Sequence, residues 1–168
     1  LYMLYRKARM SDVEAIHGLI NNYANKGLML ARSRSCIYEG IREYTVAEQE
    51  GIIVGVGGLH ILWYDLAEIR ALAIAPEYTK RGVGRRIVSL LEEEARDLEL
   101  PKVFALTYQP GFFTKCGYQV TEHKNLPQKV WKECINCPKF PDCDEQAVIK
   151  VLTESRKTQI DTFQANNL

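Results

Sequence analysis

The stretch of sequence that decides the fold is residues 71–87, which read ALAIAPEYTKRGVGRRI. Its small and apolar residues up to Ile74 predict a buried strand that a proline ends. Gly82 and Gly84 then lead into a helix, which the spacing of apolar residues predicts over residues 83–98. The first turn of a helix has backbone N–H groups without intrahelical partners, and glycines let a phosphate group approach them closely. The stretch therefore predicts a phosphate-binding turn between a strand and a helix.

Basic residues surround this turn, which fits a phosphate site but also an ordinary helix start. Lys80, Arg81 and Arg85 stand beside the two glycines and add positive charge. Two other phosphate-binding motifs are excluded, because the sequence lacks both G-x-x-x-x-G-K-[ST] and the third glycine of the dinucleotide fingerprint. Two interpretations stay open, a phosphate site built on helix amides and a solvated basic helix start.

Outward from this turn, the sequence predicts strands and helices of a single domain, residues 1–152. The predicted strands are residues 5–9, 45–49, 52–64, 67–74, 103–106, 118–120 and 147–152, and the predicted helices are residues 11–24, 35–43, 83–98 and 112–116. The result is an α/β (α+β) fold with a mixed, mostly antiparallel central sheet and helices on both faces. Residues 153–168 are polar and lack an apolar period, so they predict a flexible tail.

One helix end and one helix face carry specific predictions. Ser11 and Glu14 have the spacing of a capping box, in which Ser11 is the N-cap of the first helix. In the helix over residues 83–98, Ile87 and Leu91 belong to the face that packs on the sheet, whereas Glu92 belongs to a solvated charged face.

Composition and charge exclude several classes of protein. The 168 residues contain 46% hydrophobic and 26% charged residues, which is typical of a globular domain. Lys and Arg number 22 against 21 Asp and Glu, so the net charge of +1 gives no field that would attract nucleic acid or anionic lipid. No stretch reaches the ~20 apolar residues of a membrane span. We therefore expect neither nucleic acid nor a membrane as a partner.

The cysteines indicate a reducing compartment, the cytoplasm. There are five of them, an odd number in a chain that does not need disulfides for stability. Cys134, Cys137 and Cys143 have the spacing C-x2-C-x5-C, but a structural zinc ion takes four ligands. Free thiols are therefore the favoured interpretation and no metal is expected, while a zinc site completed by Cys116 or His123 is the alternative.

Residues 71–87, together with FFTKCGY at residues 112–118, resemble the acetyl-CoA motif of GNAT-type N-acetyltransferases. The resemblance covers about residues 5–152 in the same order of elements. Within that superfamily, the chain is similar to the acetyltransferase domain of N-acetylglutamate synthases. The segments that carry this second resemblance are GLMLARSR at 27–34, AEIR at 67–70, KVFALT at 102–107 and LPQK at 126–129. The chain is too short for the kinase-like domain of many such synthases, so we expect a short stand-alone form.

The resemblance implies a GNAT-like fold and acetyl-CoA as the acetyl donor. It assigns donor binding to the strand end, the glycine turn and the helix start, at Leu72, Ala73, Ile74, Thr79, Lys80, Arg81, Gly82, Val83, Gly84 and Arg85. The sequence departs from the family at two positions. Thr79 stands where the glycine turn usually begins with Arg or Gln, and Phe113 stands where many members have a catalytic Tyr.

An acceptor amine is mostly protonated near neutral pH and cannot then attack a thioester, so a general base is needed. The resemblance favours Glu68, which lies two residues from Arg70 on the same face of its strand. The alternative is a strand-end carboxylate paired with Arg70. With Phe113 in the place of a tyrosine, the hydroxyls of Thr107 and Tyr108 are the candidates for protonating the departing thiolate.

The same resemblance implies L-glutamate as the acceptor and arginine biosynthesis as the pathway. Two carboxylates require at least two cations, for which Arg32, Arg34, Arg70 and Lys129 are the candidates. Solvated surface charges are the alternative. Two other functions stay open: acetylation of another amine, such as glutamine, another amino acid or a protein, and acetyl-CoA sensing without catalysis. A homodimer also stays open.

Overall fold

The computed structural model describes residues 2–127, 131–132, 134–140 and 142–152. Within them, the strands are β1 (Met3–Lys7), β2 (Tyr44–Gln49), β3 (Ile52–Trp63), β4 (Leu66–Ile74), β5 (Lys102–Thr107), β6 (Gln119–Thr121) and β7 (Gln146–Val151). The α-helices of the same residues are α1 (Val13–Ala24), α2 (Arg34–Glu39), α3 (Val83–Asp97) and α4 (Pro110–Lys115). The predicted order of elements is confirmed. The expected tail, residues 153–168, lies outside the described residues.

The strands form a single sheet in the order β1-β2-β3-β4-β5-β7-β6. Neighbouring strands are antiparallel, apart from the parallel pair β4 and β5. That pair is short, because its register runs only from Leu66–Lys102 to Glu68–Phe104. Beyond Glu68, β4 and β5 separate, and a gap opens in the middle of the sheet.

A bulge in β4 lies beside this gap. Val56 pairs with Ala73 and Gly58 with Arg70, so two residues of β4 lie opposite the single residue between them on β3. One of the two, Ala71, has a φ of 55°. That left-handed conformation is uncommon for a residue with a Cβ, and such strain is found mostly at functional sites. The bulge bends β4 where the two strands part.

Helices cover both faces of the sheet, as the sequence predicts. On one face α3 packs through Val83, Ile87 and Leu91, and on the other face α1 packs through Val13, Ile16 and Ile20. Helix α3 approaches the sheet so closely that a Cβ added at Gly57 would lie 2.7 Å from Ile87 Cγ2. None of the described helices is long and apolar enough to cross a membrane.

The predicted capping box at Ser11 is wrong. Ser11 lies in a 3-10 turn, Met10–Asp12, and α1 begins only at Val13 without a side-chain cap. At this position it is the side chain of Asp12 that makes the hydrogen bonds. Its Oδ2 accepts from the Arg9 amide (2.7 Å) and from Arg6 Nη1 (2.7 Å). The acidic side chain is thus held both by the amide at the start of the 3-10 turn and by an arginine of β1.

The predicted solvent exposure of Glu92 is also wrong. Glu92 is only 5% exposed, and its two carboxylate oxygens accept hydrogen bonds from Lys150 Nζ at 3.0 and 3.1 Å. Lys150 belongs to β7, 58 residues away in the chain. Glu92 therefore carries its charge inside the fold and has a cation to balance it.

Replacing Glu92 with alanine should lower the free energy of unfolding by about 3 kcal/mol, because breaking a buried ion pair leaves the partner's charge uncompensated. Its neighbour Glu93 is exposed, and the alanine variant there should change stability by no more than about 0.5 kcal/mol. Urea denaturation of both variants measures the difference. Equal losses in the two variants would mean that the Lys150 contact contributes nothing.

Candidate active site

A cavity of about 1730 Å³ opens where β4 and β5 part. Its walls come from both strands, from the glycine turn, from the loop that follows α1, and from residues 134–140 and 143–145. A ligand pocket for one small molecule usually measures roughly 300–1,000 Å³. The cavity is therefore large enough for two reactants side by side.

The glycine turn joins the end of β4 to α3. Gly82 has a φ of 82° and precedes the helix, and its carbonyl accepts the hydrogen bond of the Arg86 amide (3.0 Å). The amides of Val83, Gly84 and Arg85 consequently have no partner inside the helix, and they carry the partial positive charge of the helix start. The turn offers the anion-binding geometry that the sequence predicts.

Seven of the ten residues predicted to bind the donor line the cavity: Leu72, Ile74, Thr79, Lys80, Gly82, Gly84 and Arg85. Ala73 and Val83 are 1% and 3% exposed and belong to the core, because the alternation of β4 and the inner face of α3 direct them inward. The Arg81 guanidinium lies 5.4 Å from the centre of the Tyr78 ring. The side chains of these three residues are outside the cavity lining.

The predicted base, Glu68, lines the cavity and pairs in register with His60 of β3. Arg70 lines it too, and its Nη2 donates to Glu43 Oε2 at 3.1 Å. Glu43 Oε1 lies 2.8 Å from His60 Nδ1. Glu43 could not be identified as a site residue from the sequence. It precedes β2, and it contacts His60 of β3 and Arg70 of β4 only because these strands are neighbours in the sheet.

The structure separates the two neighbouring arginines. Arg32 lines the cavity, is 9% exposed, and within the described residues has neither a carboxylate partner nor an acceptor for its Nε. Arg34 is exposed, and its guanidinium binds Glu14 through Nε (2.7 Å) and Nη2 (2.9 Å) outside the cavity. The prediction of Arg34 as an acceptor ligand is thus not supported by its position. Lys129 lies outside the described residues.

Both hydroxyl candidates line the cavity. The Thr107 hydroxyl accepts a hydrogen bond from the Gln109 amide (2.8 Å), and the Tyr108 hydroxyl donates to Asp144 Oδ1 (2.5 Å). Lys139 Nζ contacts the Tyr108 hydroxyl and lies 3.3 Å from Asp144 Oδ1. Phe113, by contrast, is buried and supplies no hydroxyl.

The lining from residues 134–140 and 143–145 includes three cysteines, Cys134, Cys137 and Cys143, and one glutamate, Glu145. Burial raises the pKa of Cys134 to about 11 and raises the pKa of Cys143, so these thiols are protonated at neutral pH. Burial also raises the pKa of Glu145. Among the residues that the structure describes, no group of three or more His, Cys, Asp or Glu side chains could hold a metal ion. Glu145 has no motif around it that would have identified it from sequence.

The parted strands and the glycine turn agree with the expected fold of an enzyme that transfers an acyl group from coenzyme A. The acetyltransferase (GNAT) family matches residues 19–118, and the chain belongs to this family. It is an N-acetyltransferase that uses acetyl-CoA as its donor. The expected family and fold are confirmed.

Two relatives cover most of the chain. An amino-acid acetyltransferase of Mycobacterium tuberculosis is 42% identical over 131 residues, 76% of this chain and 75% of that protein. An uncharacterized N-acetyltransferase of Chlorobaculum tepidum is 40% identical over 147 residues, 88% of this chain and 95% of that protein. The chain therefore belongs to the same family as these relatives, one of which is an amino-acid acetyltransferase.

Solved structures agree in fold. A Mycobacterium tuberculosis protein in complex with CoA and NLQ has a TM-score of 0.77 at 36% identity, covering 89% of this chain and 99% of its own. N-acetylglutamate synthase from Neisseria gonorrhoeae, complexed with coenzyme A and N-acetyl-glutamate, has a TM-score of 0.83 at 24% identity. The match covers 91% of this chain and 36% of that longer one, and it shows the fold alone.

Proposed function

We propose that the enzyme transfers the acetyl group of acetyl-CoA to the α-amino group of L-glutamate, as the first step of arginine biosynthesis in the cytoplasm. The observation that carries this proposal is Arg32. It is a buried cation that faces the same cavity as Glu68, and within the described residues it has no acidic partner. An unbalanced buried charge is costly, so a protein that keeps one has a use for an anion at that place.

A second cation supports a carboxylate-bearing acceptor. Burial raises the pKa of Tyr44, and the charges of Arg32 and Arg70 act against that rise. Both arginines line the cavity, Arg32 from the loop that follows α1 and Arg70 from β4. A guanidinium presents its N–H donors as a planar fork that matches a carboxylate. Two such groups fit an acceptor with two carboxylates.

The mechanism follows from the residues along β4 and β5. Glu68 takes a proton from the acceptor ammonium, so that the free amine attacks the thioester carbonyl. Backbone amides of β4 near Leu72–Ile74 stabilise the negative charge that develops on the carbonyl oxygen. The carbon–sulfur bond then breaks and the nitrogen gives up its surplus proton. The hydroxyl of Thr107 or Tyr108 passes a proton to the departing thiolate and takes up the released proton in return. N-acetylglutamate and coenzyme A leave.

Glutamine is the second candidate acceptor, and Glu145 is the observation that favours it. This half-buried carboxyl lines the cavity, and a negative charge there would repel the side-chain carboxylate of glutamate. It could accept a hydrogen bond from a glutamine amide instead. Thiol release from acetyl-CoA, measured with each amino acid in turn, decides between the two acceptors.

Replacing Arg32 with alanine should raise the KM for glutamate about tenfold or more, because a charge-assisted hydrogen bond to a carboxylate contributes about 1.5–3 kcal/mol. The KM for acetyl-CoA should stay unchanged. Arg34→Ala is the matched control, since this neighbouring arginine binds Glu14 at the surface. Steady-state thiol release measures both variants. Wild-type glutamate kinetics in Arg32→Ala would remove the main support for the proposed acceptor.

A further inference from the structure

Glu43 joins side chains from two strands, and one of these side chains, Arg70, lines the cavity. It ends a 3-10 turn, Ile41–Glu43, directly before β2. Its Oε1 lies 2.8 Å from His60 Nδ1 on β3, and its Oε2 accepts from Arg70 Nη2 on β4 at 3.1 Å. Both oxygens are engaged, and the Arg70 side chain is only 10% exposed. The Arg70 guanidinium is therefore held in one place by a group outside its own strand.

The contact between Glu43 and Arg70 is one between full charges. Burial alone would raise the pKa of Glu43, but the hydrogen bond from His60 and the charge of Arg70 outweigh it and lower the pKa below its ordinary value. Glu43 is thus ionised at neutral pH. Hydrogen bonds between ionised groups are about twice as strong as neutral ones and more sharply oriented.

Arg70 is close to Glu68 because both side chains lie on the same face of β4. The two residues are separated by one position on β4, before the bulge at Ala71, and both are half-buried while Ile69 between them is buried. Side chains at i and i+2 of a strand share a face and stand about 6.7 Å apart. Arg32 reaches the cavity from a different wall, the loop that follows α1.

We propose that Glu43 is a positioning residue, which holds Arg70 so that its guanidinium binds the α-carboxylate of the acceptor amino acid. This inference rests on the proposed function, in which Glu68 meets the α-amino group. The α-carboxylate is one carbon away from that nitrogen, so it falls beside Arg70, and Arg32 is left to face the acceptor's side chain. A guanidinium has five N–H donors, so the bond to Glu43 still permits a second carboxylate to bind.

The separate roles of Arg70 and Arg32 have a consequence for the acceptor specificity of the enzyme. Every α-amino acid has an α-carboxylate, so Glu43 and Arg70 select amino acids over simple amines without distinguishing glutamate from glutamine. Arg32, which faces the side chain, distinguishes the two. Changes at Glu43 and at Arg32 should therefore leave different patterns in the acceptor kinetics.

Replacing Glu43 with glutamine tests the proposal, because the amide keeps the size and loses the charge. The KM for the accepted amino acid should rise about five- to tenfold, since a less oriented Arg70 binds its carboxylate more weakly. Where both amino acids are substrates, the factor should be the same for each. The kcat and the KM for acetyl-CoA should stay within about twofold of wild type. In an Arg70→Gln background, Glu43→Gln should add no further rise, because it acts through Arg70.

Glu48→Gln is the matched control. Glu48 accepts from Arg6 Nε at 2.9 Å with a side chain 22% exposed, against 26% for Glu43, and it does not line the cavity. This variant should keep wild-type values of KM. An equal rise in both variants, an unchanged KM in Glu43→Gln, or additive effects of Glu43→Gln and Arg70→Gln would each overturn the proposal. Failure of the wild-type enzyme to acetylate either amino acid would instead overturn the proposed function, and the positioning role with it.

Discussion

Replacing Glu68 with glutamine should lower kcat by about 100- to 10,000-fold, which is the usual contribution of a general base. The amide has nearly the size of the carboxylate but cannot take a proton from the acceptor ammonium. Packing along β4 should survive, and acetyl-CoA should bind as before. Thiol release gives kcat, and the thermal shift produced by coenzyme A gives the affinity for the donor.

Glu77→Gln is the control for this experiment. Glu77 is exposed in the segment between β4 and α3 and does not line the cavity, so its amide variant should keep the wild-type kcat. Full turnover in Glu68→Gln would assign the proton to another group or to water. Donor binding without turnover of any amine by the wild-type protein would instead indicate a sensor of acetyl-CoA.

Replacing Gly84 with aspartate should raise the KM for acetyl-CoA about 100-fold. The new carboxylate would occupy the anion site and repel the donor's phosphates, so that two or more charge-assisted hydrogen bonds of about 1.5 kcal/mol each are lost. The fold should not suffer, because a negative charge in the first turn of α3 interacts favourably with the helix dipole. Circular dichroism and steady-state kinetics check both statements.

Gly84→Ala separates the charge from the added bulk. A Cβ at this position would lie 3.4 Å from the Phe112 ring and 3.6 Å from Ile74, which the neighbours can accommodate with small shifts. The alanine variant should therefore bind acetyl-CoA much more tightly than the aspartate variant. If the aspartate variant folds and binds the donor like wild type, the glycine turn is only a helix start.

Local patterns were enough to predict the glycine turn, α3 and the position of Glu68. Each depends on residues within a few turns of one another, where the period of apolar positions and the geometry of a helix start decide the structure. Sequence could not separate Arg32 from Arg34, which stand two positions apart. The side chain of Ser33 caps α2 by accepting a hydrogen bond from the Cys36 amide (3.2 Å), so the chain changes from loop to helix between the two arginines. Arg32 lines the cavity, whereas Arg34 lies at the surface.

Long-range contacts account for the other misses. The sequence around Glu92 fits a solvated helix face, but in the fold Lys150 of β7 binds its carboxylate. Glu43 has no partner close to it in the sequence, and its partner Arg70 belongs to β4. Asp12 likewise takes its role from Arg6. In each case a charge is balanced by a group on another element, and no spacing in the sequence records that pairing. The roles of the site residues stay predictions until the variants are measured.

The early parting of β4 and β5 gives the sheet an interior edge. In the described part of the chain, the β4–β5 ladder ends at Glu68, although β4 continues for six residues to Ile74. Backbone N–H and C=O groups at the edge of a sheet can pair with another extended molecule, which then forms an additional strand. Proteins usually shield such edges because they promote aggregation. Here the donor itself, whose long arm carries amide groups, is suited to complete the ladder. We therefore expect the enzyme to aggregate less readily on storage with coenzyme A than without it, which light scattering of the two samples would measure.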